Sequence, residues 1–321
     1  MQDLIAEFTM YNSRREFLVN LGKGAAVAAF AGIPFEIFAK KDTVKLTVLH
    51  TNDVHSHIEP FPDNDPKYAG RGGVARRAAL INEIRRNEEN VLLLDAGDIF
   101  QGTPYFNKYG GSLELQLMSK MGYDAATIGN HDFDNGLEGL NSQMHHAKFP
   151  FISSNYNFSD TILSGKILPY KIFEKGGLRI GVFGLGIELT GLVDPKLYGN
   201  TKYLKPEMKA AEMAHLLKVQ KKCDLVVCLS HLGFSYQNDK VSDKVLAKAS
   251  KNIDVFLGGH THSFIEVPYR YRNRDGKEVL VAQTGWAGLN LGRIDFFYEK
   301  KSRKVTASGH SVEISRKSSV I

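Results

Sequence analysis

Five apolar runs in this chain end on the same kind of residue cluster. "KLTVLH" runs into "TNDVH", "VLLLD" into "AGD", "DAATI" into "GNHD", "VVCL" into "SHLG" and "DVFL" into "GGHTH". Between them lie stretches of helical period. "GVARRAALINEIRRN" spaces Val74, Ala78, Ile81 and Ile84 for one helix face, and "SLELQLMSKMG" is closed by Gly122. "LEGLNSQMHHA", "PEMKAAEMAHLLKVQKK" and "SDKVLAKASK" are predicted helices, and "FPFISSN" a predicted strand. "ILPYKIFEKGGLRIGVFGLGI" is predicted as two strands joined at Gly-Gly. Two later segments, "EVPYRYRNRDGKEVLVAQTGW" and "GRIDFFYEKKSRKVTASGH", are predicted as hairpins, the first over an Asp-Gly turn. Strand–helix alternation followed by hairpins specifies an α/β sandwich with mixed sheets. Ligands in open α/β sheets bind beyond the carboxyl ends of strands, so the five polar endings are expected to converge on one rim.

Each ending alone is a weak signal. Asn, Asp and Gly in "TIGNHDFDNG" are also ordinary turn residues. His231 after "CLS" could be a satisfied core histidine, whereas two imidazoles flanking one residue in "GHTH" have little reason to be core. Jointly the endings offer two carboxylates, four imidazoles and one amide, a donor set suited to a pair of transition-metal ions. Two such ions about 3.5–4 Å apart clamp the attacking and leaving oxygens of a phosphoryl displacement.

"LHTNDVHSH", "LLDAGDIFQGT", "IGNHDFDNG", "CLSHLG" and "LGGHTH", in this order, resemble the calcineurin-like metallophosphoesterases, in particular their 5′-nucleotidase branch. The likeness extends from Lys45 to about Phe297. It implies a four-layer αββα sandwich with two mixed sheets, and a catalytic domain over 44–312 followed by a basic tail, 313–321. It further implies that Asp53, His55 and His262 hold one metal, that Asn130, His231 and His260 hold the other, and that Asp98 bridges them. Many nucleotidases carry Gln where this chain has His262. His131 would stabilise the transition state or protonate the leaving group, with Asp134 accepting from its other ring nitrogen, and Asp132 would serve the turn. The implied reaction is phosphoester hydrolysis by metal-bound hydroxide, with nucleoside 5′-phosphates as substrates. Broad-specificity or 2′,3′-cyclic-nucleotide phosphodiesterase activity and thiosulfate-ester hydrolysis are the alternatives. His50, His57, His145, His146, His215 and His310 are left as structural or surface residues.

The resemblance also implies a nucleobase-binding domain after the catalytic one. The expectation is therefore that a separate polypeptide supplies the base pocket or that the chain acts alone on varied phosphoesters. The formal charge of +6 does not point to nucleic acid, because Lys300–Ile321 carries six basic residues against one acidic and the body is nearly neutral. "SRREFL" before a mildly apolar, Ala- and Gly-rich stretch is the twin-arginine export pattern, giving a signal peptide over 1–39 and a periplasmic, folded export. Lys23 and the glycines make that stretch a poor membrane span. Of Mn, Zn, Fe or Co, cytosolic loading before export favours a Mn or Fe site, and Mn is preferred. Cys223 and Cys228 share one predicted strand, roughly 16 Å apart and beyond disulfide reach.

Overall fold

The computed structural model of this chain describes residues 42–238 and 240–316; the segment 1–39, read above as an export signal, lies outside the described residues. Thirteen strands follow one another: β1 (Thr43–Thr51), β2 (Val91–Asp95), β3 (Ala125–Ala126), β4 (Tyr156–Asn157), β5 (Tyr170–Lys175), β6 (Leu178–Gly186), β7 (Lys202–Tyr203), β8 (Leu225–His231), β9 (Val255–Gly258), β10 (Tyr269–Arg272), β11 (Glu278–Ala282), β12 (Asn290–Glu299) and β13 (Lys304–Glu313). They form a five-stranded sheet in the order β13-β12-β1-β2-β3 and a six-stranded sheet in the order β10-β11-β9-β8-β6-β5, with β4-β7 as a separate ribbon. β1, β2 and β3 are mutually parallel, as are β6, β8, β9 and β11, while β12, β13, β5 and β10 pair antiparallel.

Four layers follow from the two-residue side-chain period of the central strands. Leu46 and Val48 on β1, Leu92 and Leu94 on β2, and Val227 and Leu229 on β8 face a core between the sheets. Their neighbours Leu49 and Leu93 face outward onto helices α1 (Val74–Asn87) and α3 (Ser112–Met121), α2 being Pro104–Tyr109. Val226 and Cys228 face the opposite way. They pack on α6 (Pro206–His215) and α7 (Asp243–Ala249), which follow α4 (Gly136–Gln143) and α5 (Pro195–Tyr198) in the chain. Strands covered on both faces are apolar throughout, as these are.

Some elements differ from the sequence-based expectation. "DAATI" yields only the two residues of β3, and "FPFISSN" forms isolated bridges rather than a strand. The reason is that this segment links the sheets: Ile152 N–H donates to Ala126 O in one, and Ser154 N–H to Gly184 O in the other. A chain crossing between layers cannot stay in one ladder. The short helices α2 and α5 were not anticipated, and α6 ends in a π-helical turn, Leu216–Gln220. Order at the C-terminus continues past β13: Ile314 is fully buried, and Arg316 pairs with Asp63. Cys223 and Cys228 are both buried free thiols. Among the described residues no helix is long and apolar enough to cross a membrane.

Candidate metal centre

All five polar endings leave the carboxyl ends of parallel strands on one rim. Asp53 and His55 follow β1, Asp98 follows β2, Asn130 and His131 follow β3, His231 closes β8, and His260 and His262 follow β9. The loops after β1 and β2 continue to pair: Asp53 N–H donates to Gly97 O (2.9 Å), His55 N–H to Asp98 O (3.1 Å) and Ser56 N–H to Ile99 O (2.9 Å). Five candidate ligands, Asp53, His55, Asp98, His260 and His262, have φ between 50° and 74°, the left-handed region. Each such non-glycine residue costs on the order of 1–3 kcal/mol, a cost that the surrounding hydrogen bonds must offset and that clusters at functional sites. The loops approach so closely that a Cβ at Gly129 would overlap the Asp98 carboxylate.

Asp132 corrects one expectation. It serves far more than its own turn, because its buried carboxylate accepts backbone N–H bonds from Gly129 (2.8 Å), Ile99 (2.9 Å), Asp98 (3.1 Å) and Phe100 (3.2 Å). One side chain thereby ties the β3 loop to the β2 loop. Burial, then the neighbouring Asp98 charge, pushes its pKa up to about 7.

Two donor groups result. The ligand atoms of Asp53, His55 and His262 lie within 4.8 Å of one another, and so do those of Asp98, His231 and His260. Asp98 sits between them, its Oδ2 3.0 Å from His231 Nε2 and 3.8 Å from His55 Nε2. Asn130 Oδ1 faces His260 Nδ1 at 2.8 Å. The expected set of seven is thus gathered in one place.

Divalent ions fit these residues on three counts. His231 donates Nδ1–H to Ala96 O (2.7 Å), which turns its buried Nε2 inward, 3.0 Å from Asp98 Oδ2. His55 is oriented likewise through Nδ1 and Phe100 O (3.2 Å). Its Nε2 and that of His262 lie 3.1 Å apart, two imidazole nitrogens turned on one point. Carboxylate plus imidazole donors suit transition-metal ions rather than Mg²⁺ or Ca²⁺.

Electrostatics at the rim are strongly coupled. Burial would raise the Asp98 carboxyl, but His231, His55 and His131 hold it well below the usual carboxylate range. Burial opposes protonation of His231, yet Asp98 and Asp53 lift it to about 10. His55 is lowered by burial, and His260 is lowered to about 4. His131 stands beside the donors, its ring centroid 5.2 Å from that of His55. It pairs Nδ1 with Asp134 Oδ2 at 2.8 Å, and this bond raises its pKa.

The remaining histidines lie apart from the donor groups. His50 is buried between the sheets opposite Gly292, His57 stacks on Phe61, and His145, His215 and His310 are exposed, with His146 partly so. Sequence reasoning missed the scaffold "QTGWAG", residues 283–288. Gln283 accepts from Thr261 Oγ1 (3.1 Å), Thr284 Oγ1 donates to Asn52 Oδ1 (2.6 Å), and Ala287 N–H donates to Asp53 O (2.7 Å). It carries no acid or imidazole, so no chemical signal marked it.

The profile of the calcineurin-like phosphoesterases matches residues 46–264. The chain belongs to this family. It is 34% identical to the 5′-nucleotidase of Rattus norvegicus over 84% of this chain and 49% of that protein. It is 35% identical to a snake venom 5′-nucleotidase from Gloydius brevicauda over 85% and 48%. Among solved structures, a 5′-nucleotidase precursor from Thermus thermophilus superposes with a TM-score of 0.76 at 31% identity, covering 86% of this chain and 55% of that one. A NAD nucleotidase from Haemophilus influenzae gives 0.73 at 27%, covering 85% and 51%. The chain spans about half the length of these relatives.

Proposed function

We propose that this chain is a dinuclear metal-dependent phosphoesterase acting on nucleoside 5′-phosphates. The observation that carries the reading is the pair of donor groups joined at Asp98, with His131 beside them and its Nδ1 tied to Asp134. Asp53, His55 and His262 would hold one ion, Asn130, His231 and His260 the other, and Asp98 both. When bound, two such ions supply activation of water and neutralisation of phosphoryl charge. With Nδ1 occupied by Asp134, His131 keeps Nε2 as the nitrogen that can donate to a phosphoryl or leaving-group oxygen. The same bond restrains the ring, so the donor is in place before substrate arrives.

The 5′-nucleotidase relatives support a nucleotide substrate, and Mn²⁺ is the ion we favour. Assays of AMP, GMP, UMP, 2′,3′-cyclic nucleotides, UDP-sugars and an aryl phosphate with added Mn²⁺ test the reading. Hydrolysis of nucleoside monophosphates is expected, with modest base preference unless a partner polypeptide contributes base-binding surface. Protein carrying two ions yet inactive on every phosphoester would refute it. Activity confined to cyclic nucleotides would select that alternative. We also propose twin-arginine export to the periplasm, supported by "SRREFL". Replacing Arg14 and Arg15 by Lys should retain the protein in the cytoplasm, and unchanged export would refute that route.

A further inference from the structure

At three of the four imidazoles of the centre Nδ1 faces an oxygen: Phe100 O for His55, Ala96 O for His231 and the candidate ligand atom Asn130 Oδ1 for His260. His262 is the exception. Among the described residues no hydrogen-bond partner lies at its Nδ1, and its side chain is 40% exposed. Its ring instead lies parallel to the indole of Trp286, with 4° between the planes and 5.6 Å between centroids. The indole is itself wedged edge-on against His57, Phe61 and Tyr68. Its backbone is anchored on both sides, Gly285 N–H to Ser263 O (2.9 Å) and Ala287 N–H to Asp53 O (2.7 Å). The same loop thus holds the backbone of one candidate ligand, Asp53, and the ring of another.

We propose that Trp286 is the positioning residue of His262. Its stacking restrains a ring that no Nδ1 hydrogen bond restrains, and so sets the affinity of the Asp53–His55–His262 group for its ion. The proposal rests on the reading that these residues hold a divalent ion. Partners that orient metal-ligating histidines change metal affinity by about 10–100-fold when removed. A stacked aromatic restrains the tilt of the imidazole but leaves it free to slide in plane. This group is therefore the one whose ion should exchange first, whereas the His231 group is fixed by a buried hydrogen bond.

The chain contains a single tryptophan, so the residue reports on its own site. Metal-free protein would be titrated with Mn²⁺, a paramagnetic quencher, while following tryptophan emission, with calorimetry in parallel. Emission should change with one of two binding steps, and His262→Ala should abolish that change. By calorimetry Trp286→Phe, which keeps a stacking face, should stay near wild type. Trp286→Leu, apolar but unable to stack, should weaken one step by about 10–100-fold and leave the other alone. A Leu variant that binds both ions as tightly as wild type overturns the proposal. Equal weakening of both steps overturns it too, because that is a structural defect rather than positioning of one ligand. If wild-type protein binds no Mn²⁺, the metal-centre reading itself fails.

Discussion

Replacing Gly129 by Ala tests whether the close approach of two loops is what places the central carboxylate. The backbone at Gly129 is outside the left-handed region, so Ala introduces no conformational strain of its own. The added Cβ would overlap Asp98 Oδ1 and lie 2.6 Å from Asp98 N. Ordinary contact is about 3.5 Å, so one loop must retreat by about 1 Å. Neither loop can yield freely. Asp132 binds both Gly129 N–H (2.8 Å) and Asp98 N–H (3.1 Å), and His131 N–H holds Asp98 Oδ1 at 2.8 Å. Overpacking of this kind costs about 1–3 kcal/mol, which thermal or denaturant unfolding would register. A displacement of about 1 Å at a reacting centre costs on the order of 10²-fold in rate. Metal content by mass spectrometry and hydrolysis of AMP and an aryl phosphate are the assays. A folded Gly129→Ala protein with two ions per chain and wild-type rates would refute the argument that Asp98 needs this exact position.

Four further outcomes are expected. His131→Ala should lower kcat by about two to four orders of magnitude while metal content stays near two per chain; loss of metal would mean that a ligand had been mistaken for a proton donor. Asp98→Asn should empty both sites and His262→Ala should weaken mainly one, so normal metal affinity in Asp98→Asn would remove the bridge assignment. Asp132→Ala strips the partner from four backbone N–H groups at a cost of about 1–3 kcal/mol for each one left unsatisfied, and a stability change near zero would contradict its role as the tie between loops. Burial pushes His50 down to about 3, below its ordinary 6.5, so protons prefer the unfolded chain and stability falls as pH drops through 6.5 toward 3. At pH 5 that term is about 2 kcal/mol, and the stability lost on going from about pH 7.5 to pH 5 should be larger in wild type than in His50→Gln by this amount, equal losses refuting it.

The amino-acid sequence by itself determined which strands are buried, that helices alternate with them, and which residues carry chemistry. Those properties are local: apolar continuity marks a strand covered on both faces, and a polar cluster after it marks the rim. Its Gly-Gly and Asp-Gly pairs marked the β5–β6 and β10–β11 hairpins, because Gly176, Gly177 and Gly276 take positive φ without steric cost. Tertiary structure alone decided the rest. No spacing shows that "FPFISSN" would leave its ladder to link two sheets, since that depends on where Ala126 and Gly184 come to lie. No pattern marks Asp132 as the tie between two loops, because three of its four donors lie 32 to 34 positions away and the fourth is Gly129, and only the folded chain brings them to one carboxylate. Trp286 is the clearest case. It is one aromatic in a polar hairpin end, and its meaning arises only when β9 and β11 lie side by side and set its ring flat against His262.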